Sequence, residues 1–259
     1  MKWRRIPAQT PTLRSALPRS LDGGDVGVIL IHGFTGTPRD LGGLGEALQR
    51  RGLTVRIPRL PGHGTNGMDF LGSGWRDWLR CAADAFADLR GPCRRVHLVG
   101  YSMGGNLAVL LASRFAVQRL VLLAPALQTR NPLLPLSPLL SLLSQRVRWP
   151  LAGSAVIDDE DSAVLAREYW QWRYPAQAAS LLHLKRMARR ALRTVTADTL
   201  TVTGAKDLSV PSSVIRLIEE RRESGAREHR VIEEGTHQLL SGQGGERVVA
   251  AVTQWLLEG

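Results

Sequence analysis

The sequence predicts an α/β fold in which a mostly parallel central sheet carries helices on both faces and an inserted cap. Three observations lead there. Short, continuously apolar runs recur, and VGVILIH at residues 26–32 has the pattern of a strand covered on both faces. Helical apolar spacing alternates with these runs, the order expected of a parallel sheet with right-handed crossovers. Between residues 125 and 196 that alternation stops, and it resumes afterwards.

Taken in order, the run at 26–32 feeds into Gly33-Phe34-Thr35-Gly36-Thr37-Pro38, where Pro38 suits the first turn of a helix. Leu41, Leu44, Ala47 and Leu48 then recur at helical spacing up to Gly52. Residues 53–57 read as a strand, closed by the turn-rich Arg59-Leu60-Pro61-Gly62-His63-Gly64-Thr65. A helix is expected over 75–89, with Trp78, Leu79, Ala82, Ala85, Phe86 and Leu89 on its apolar face. RVHLVGYSMGGNLAVL at 95–110 reads as strand, sharp turn and helix, the helix running to about Phe115, and 117–124 is another buried strand. The segment that follows is apolar but proline-broken at 133–143, acidic at 158–161, and basic and amphipathic at 181–192. Its apolar part is too short and proline-rich to span a membrane, and it leaves from the carboxyl end of a strand, where open parallel sheets bind ligands. The expected division is a core of residues 1–125 and 197–259 with a cap, or lid, of residues 126–196. Strands at 199–204 and 228–232 and helices at 213–223 and 244–257 complete the pattern.

With 259 residues and 44% hydrophobic content, the chain is long enough for one large domain with a sizeable core. The net charge of +11 comes almost wholly from arginine, since Lys2, Lys185 and Lys206 are the only lysines. A nucleic-acid surface would gather basic residues on one element with aromatics between them; here they are spread through helices and turns, so no nucleic-acid partner is expected. Cys81 and Cys93 have neither metal-ligand spacing nor the density of a disulfide framework. No metal cluster and no phosphate-cradling glycine loop is read, so no cofactor is expected. The stretch MKWRRIPAQTPTLRSALPRS lacks the apolar run of a secretory signal, and a cytoplasmic location is expected.

The chemistry centres on Gly100-Tyr101-Ser102-Met103-Gly104, a G-x-S-x-G pentapeptide. Chance alone supplies it in about one chain in six of this composition. Its position at a strand-to-helix junction is therefore what makes Ser102 the candidate nucleophile. A serine hydroxyl needs an imidazole base, and behind it a carboxylate that fixes the tautomer. Asp207 follows the strand at 199–204 and reaches the carboxyl edge of the sheet, whereas Asp198 precedes that strand and lies at the wrong edge. His237 follows the last strand and reaches the same carboxyl edge. His97 and His229 lie in or beside strands, His183 lies on the cap helix, and His32 and His63 flank glycines, where backbone hydrogen bonding is the more frequent role. An oxyanion hole needs amide donors from the residue after the nucleophile and from the loop after an early strand, which are Met103 and Phe34.

His32-Gly33-Phe34-Thr35-Gly36-Thr37-Pro38, Pro61-Gly62-His63-Gly64, the Ser102 elbow with Gly105, Asp207 with Val210-Pro211, and Thr236-His237 occur in order across the chain. Together they resemble bacterial monoacylglycerol lipases and similar small carboxylesterases, with Thr-His-Gln where many relatives have Ser-His or Tyr-His. The resemblance implies the α/β-hydrolase fold, a Ser102-Asp207-His237 triad, a Phe34/Met103 oxyanion hole, and a cap whose apolar tunnel receives an acyl chain. The implied substrates are carboxylic esters of medium to long acyl chains, with monoacylglycerols foremost. The expected partners are a small-molecule ester or lipid, with at most transient membrane-surface contact through the cap, in a monomer or homodimer. Thioester hydrolysis of acyl-CoA or acyl-carrier protein uses the same chemistry and draws on the positive surface. A catalytically silent fold used for binding would lack reactivity at Ser102, and haloalkane dehalogenation would want an Asp at that position.

Overall fold

The computed structural model describes residues 12–150 and 157–258. Residues 1–11 of the basic N-terminal stretch and 151–156 of the expected cap therefore lie outside the described residues. In chain order the strands are β1 (Arg19–Leu21), β2 (Val26–Ile31), β3 (Thr54–Ile57), β4 (Arg95–Tyr101), β5 (Arg119–Leu123), β6 (Val147–Arg148), β7 (Trp172–Arg173), β8 (Asp198–Gly204) and β9 (Arg227–Ile232). Among the described residues, seven of them form one sheet in the order β1-β3-β2-β4-β5-β8-β9, parallel except for β1. The central strands β2, β4, β5 and β8 are buried almost throughout, which is why their sequences are continuous apolar runs. The edge strand β9, REHRVI, is half-exposed and correspondingly polar.

The helices are α1 (Leu44–Arg50), α2 (Gly67–Leu71), α3 (Trp75–Arg90), α4 (Met103–Ala112), α5 (Ser137–Leu143), α6 (Glu160–Leu165), α7 (Pro175–Ala191), α8 (Val214–Arg221) and α9 (Gly245–Leu257). Helix α1 packs with α9, and α3 with α4. Right-handed crossovers place these two pairs on opposite faces of the sheet. All ten residues of α4 are buried, because α7 covers the side that the sheet leaves open. The helix ends at Ala112, one turn short of the expected Phe115, with Ser113 as its cap.

The join between β4 and α4 depends on Gly104. A Cβ there would fall against the Ile31 carbonyl oxygen and within 2.7 Å of that of His32. Both obstacles are backbone and cannot rotate away, so Gly104→Ala is expected to cost about 1–3 kcal/mol of stability, visible as a lowered urea midpoint. An unchanged midpoint would show that the helix does not need this approach.

The chain between β5 and β8 contains α5, α6, α7 and the small antiparallel pair β6–β7. Helix α7 starts at Pro175, six residues before the expected amphipathic stretch, with the proline at the first helical position, where its missing N–H costs nothing. Tyr169 ties this segment to the loop after β3: its hydroxyl accepts from the Thr65 amide and donates to the Gly62 carbonyl, both at 2.9 Å. Gln177 adds bonds to the Leu71 and Ser73 carbonyls.

Candidate active site

The carboxyl ends of β4, β8 and β9 bring Ser102, Asp207 and His237 together. Ser102 occupies the turn out of β4 with φ +53° and ψ −115°, a conformation that L-residues adopt only under constraint. Three backbone bonds supply that constraint. The Ser102 amide donates to Leu123 O at 2.9 Å, and its carbonyl accepts from Ala126 at 2.9 Å and Gly105 at 3.0 Å. The hydroxyl is thereby aimed out of the sheet edge at His237 Nε2, 3.1 Å away. His237 Nδ1–H donates to Asp207 Oδ2 at 2.7 Å.

Asp207 is 1% exposed, so its charge is stable there only if its oxygens are bonded. Oδ1 accepts from the Ser209 and Val210 amides at 2.7 and 2.9 Å, leaving Oδ2 for the imidazole. Arg130 Nε–H donates to the Asp207 carbonyl at 3.2 Å, and the Arg130 amide to Ser209 O at 2.9 Å. The loop is thus held from the start of the segment that joins β5 to β8.

Phe34 and Met103 flank the serine. Gly33 lies so close that a Cβ there would be 3.1 Å from the Ser102 Cβ. The Met103 amide opens α4, where helix N–H groups have no intrahelical acceptor. Among the described residues, neither the Met103 nor the Phe34 amide donates to a protein acceptor. The Phe34 ring is fixed edge-on against Phe70 and Trp78, with centroids 5.3 and 6.0 Å away. The loop's far end is closed by Asp40, whose Oδ2 accepts from the Thr37 amide at 3.0 Å.

Two residues near the triad were not singled out from sequence. Tyr101 donates its hydroxyl to the His237 carbonyl at 2.9 Å, and its ring lies 5.3 Å from the imidazole. Burial holds this phenol well above its usual range, so it donates as a neutral O–H. Asp40 is the other: burial pushes its carboxyl up to about 6, against the Thr37 amide and the charges of Arg39 and His237, which favour the carboxylate. Thr37-x-x-Asp40 is a legible capping signal, although at a 3₁₀ turn rather than an α-helix. Tyr101 carried no such signal, because its partner is a backbone oxygen 136 residues away.

The remaining histidines have other surroundings. His32 is fully buried, donating from Nδ1 to Gly33 O at 3.0 Å and accepting at Nε2 from the Leu60 amide at 3.1 Å. Desolvation lowers it to about 4. His63 is equally buried, bonds the Pro61 carbonyl, and is lowered well below its usual value by desolvation and by His32. His97 lies buried in β4 and is lowered to about 4 by burial and the nearby Arg119 and Arg95. His183 packs on Trp75 and His229 pairs with Glu219.

A nucleophile elbow after a central parallel strand, with acid and base on later loops in that order, defines a class of enzymes. The profile of the Alpha/beta hydrolase family matches residues 28–251, and the chain belongs to that family. It is 41% identical over 104 residues to the thermostable monoacylglycerol lipase of Bacillus sp. (strain H-257), and 31% identical over 105 residues to a carboxylesterase of Bacillus subtilis (strain 168). Each alignment covers 40% of this chain, and they span 42% and 43% of those relatives' length. A solved structure from the metagenome-derived lipolytic enzymes LipS and LipT superposes with a TM-score of 0.86 at 24% identity, covering 96% of this chain and 100% of that one, a likeness of fold. Among the described residues, no helix is long and apolar enough to cross a membrane.

Proposed function

We propose that the chain is a serine hydrolase cleaving carboxylic esters of medium to long acyl chains, monoacylglycerols foremost, through an acyl-enzyme. The observation that carries this reading is the bonded series Ser102 Oγ, His237 Nε2, His237 Nδ1 and Asp207 Oδ2. In the proposed reaction Ser102 Oγ attacks the ester carbonyl as its proton passes to His237 Nε2. Asp207 holds the Nδ1–H tautomer and stabilises the imidazolium. The tetrahedral oxyanion is received by the Phe34 and Met103 amides, each typically worth roughly 2.7–4 kcal/mol in the barrier. Collapse expels the alcohol, which takes the proton from His237, and a water molecule repeats the sequence to release the acid. Residues 126–196 act in this reading as the cap that receives the acyl chain. Sequence likeness to a monoacylglycerol lipase and a carboxylesterase supports the substrate class.

A fluorophosphonate probe tests the reading directly. Mass spectrometry is expected to find the label on Ser102, and a chain that stays unlabelled is a silent fold. A profile of hydrolysis across acyl lengths and head groups then defines the substrate. The charge of +11 favours one second reading, hydrolysis of anionic acyl-CoA or acyl-carrier-protein thioesters. Competing ester and thioester on one preparation separates the two.

Tyr101 acts here as a positioning residue, clamping the backbone of the base to the strand that carries the nucleophile. Removing its hydroxyl deletes one hydrogen bond of roughly 0.5–1.5 kcal/mol. Tyr101→Phe is therefore expected to lower kcat by about three- to tenfold with KM unchanged. A change in KM alone would place the residue at the substrate instead.

A further inference from the structure

The loop that carries the Phe34 amide contains a strained residue. Gly33, Phe34, Thr35 and Gly36 form a tight turn, closed by the Gly36 amide donating to the Gly33 carbonyl at 3.2 Å. Thr35, third in that turn, has φ +57°. A β-branched residue strongly disfavours this left-handed region, which a glycine reaches freely. Among the described residues, Ser102 and Ala124 are the only other non-glycines with positive φ. Such strain persists only where the surroundings over-determine the backbone. The Thr35 hydroxyl donates to the Phe34 carbonyl at 2.7 Å and so fixes the carbonyl side of Phe34.

Asp40 holds the far side of the turn. Its Oδ2 accepts from the Thr37 amide at 3.0 Å and lies so close under the loop that a Cβ on Gly36 would fall against it. The carboxylate is presented by the short 3₁₀ turn Pro38–Leu41, which is itself anchored by the buried Pro38 and the fully buried Leu41. The Asp40 amide donates back to the Thr37 carbonyl at 3.0 Å, and the Gly42 amide to the Arg39 carbonyl at 2.9 Å. Two bonds between Thr37 and Asp40 thus tie the strained turn to a packed element. The contacts of the Phe34 ring with Phe70 and Trp78 act on a side chain and leave the peptide plane to be set by the turn. An amide that receives charge developing on a substrate oxygen must already point at it, since misplacement by about 1 Å costs on the order of a hundredfold in rate.

We infer that Asp40 is a positioning residue: through the Thr37 amide it holds the strained turn so that the Phe34 N–H faces the oxygen on which charge develops. The inference rests on the hydrolase reading and on the proposed Phe34/Met103 oxyanion hole. Asp40 touches neither the substrate nor the reacting atoms, and its effect passes through the backbone from Thr37 to Phe34.

Kinetics on p-nitrophenyl esters, with active sites counted by the fluorophosphonate label, test the assignment. Asp40→Ala is expected to lower kcat about thirtyfold with KM unchanged, a part of what loss of a whole oxyanion donor costs. Inhibition by a long-chain alkyl trifluoromethyl ketone is expected to weaken by the same factor, because the ketone adds to Ser102 as an oxyanion. Asp40→Asn keeps an oxygen for the Thr37 amide and is expected to recover most of the loss. In a Thr35→Gly background the turn is free of strain, and there Asp40→Ala is expected to cost only about threefold. A residue serving stability alone would change the melting temperature and leave kcat per labelled site and ketone inhibition as in the parent, and that result overturns the inference. So does an asparagine variant as slow as the alanine, which would assign the effect to charge, or an equal loss from Asp40→Ala in both backgrounds. In all three cases the parent chain still turns over and the hydrolase reading stands. A parent that neither hydrolyses esters nor takes the label fails that reading, and this inference with it.

Discussion

Ser102→Ala is expected to lower kcat for p-nitrophenyl esters by about a millionfold, the scale seen when the nucleophile of a serine triad is removed. The loss follows from chemistry rather than from folding. The strained backbone at Ser102 is held through its own amide and carbonyl, by Leu123, Ala126 and Gly105. An alanine keeps all three bonds and leaves the Cβ in place. Melting temperature and circular dichroism are therefore expected to stay close to those of the parent chain. KM is expected to change little, because the hydroxyl contributes in the transition state and not to ground-state binding. Residual hydrolysis through bound water and the two amide donors sets the floor of the measurement. A variant that retains parental turnover would remove Ser102 from the reaction and leave the relay with His237 as a structural contact.

Most parts of the site legible in the sequence stand near the end of an apolar run, while His237 is marked by its place after the last strand, the polar β9. Strands β2, β4, β5 and β8 are covered on both faces, so hydrophobicity marks where each of them stops. Phe34, Ser102 and Asp207 follow directly. What escaped the sequence is what rests on long-range backbone pairing. Strand β1 is only Arg-Ser-Leu, and its place is set by register against Val55, Arg56 and Ile57 rather than by any pattern of its own. The two-residue strands β6 and β7 are defined by each other in the same way. Tyr101 sits at a free position of the pentapeptide, and nothing local indicates that its hydroxyl reaches the loop of the base. The first turns of α7 carry little one-sided spacing, because Pro175 and Gln177 there are a helix-starting proline and a buried polar residue rather than an apolar stripe.

The largest expected effect on stability is acid-induced, and it comes from buried groups outside the triad. His32 and His97 titrate near 4 in the folded chain against 6.5 when unfolded. Below pH 6.5 the unfolded state takes up protons that the folded state refuses, so stability falls with pH and the loss is complete near pH 4. Each group contributes about 3 kcal/mol on the scale of 1.36 kcal/mol per pKa unit, and His63 adds to the loss with the same sign. For His32 the cause is burial, which disfavours the imidazolium, and a protonated Nε2 would also no longer accept the Leu60 amide. Asp40 acts in the opposite direction. Its carboxyl is raised from 3.8 to about 6, so it destabilises the folded chain above pH 6, and protonation relieves about 3 kcal/mol as the pH falls toward 4. Urea midpoints measured from pH 7 to pH 4 are therefore expected to fall by less than the histidines alone require. Asp40→Asn keeps an oxygen for the Thr37 amide and removes the opposing titration. That variant is expected to gain stability at pH 7 relative to the parent and to lose it more steeply toward pH 4. Midpoints that are flat over this range, or a variant whose pH dependence matches that of the parent, would mean that these buried groups do not control stability in acid.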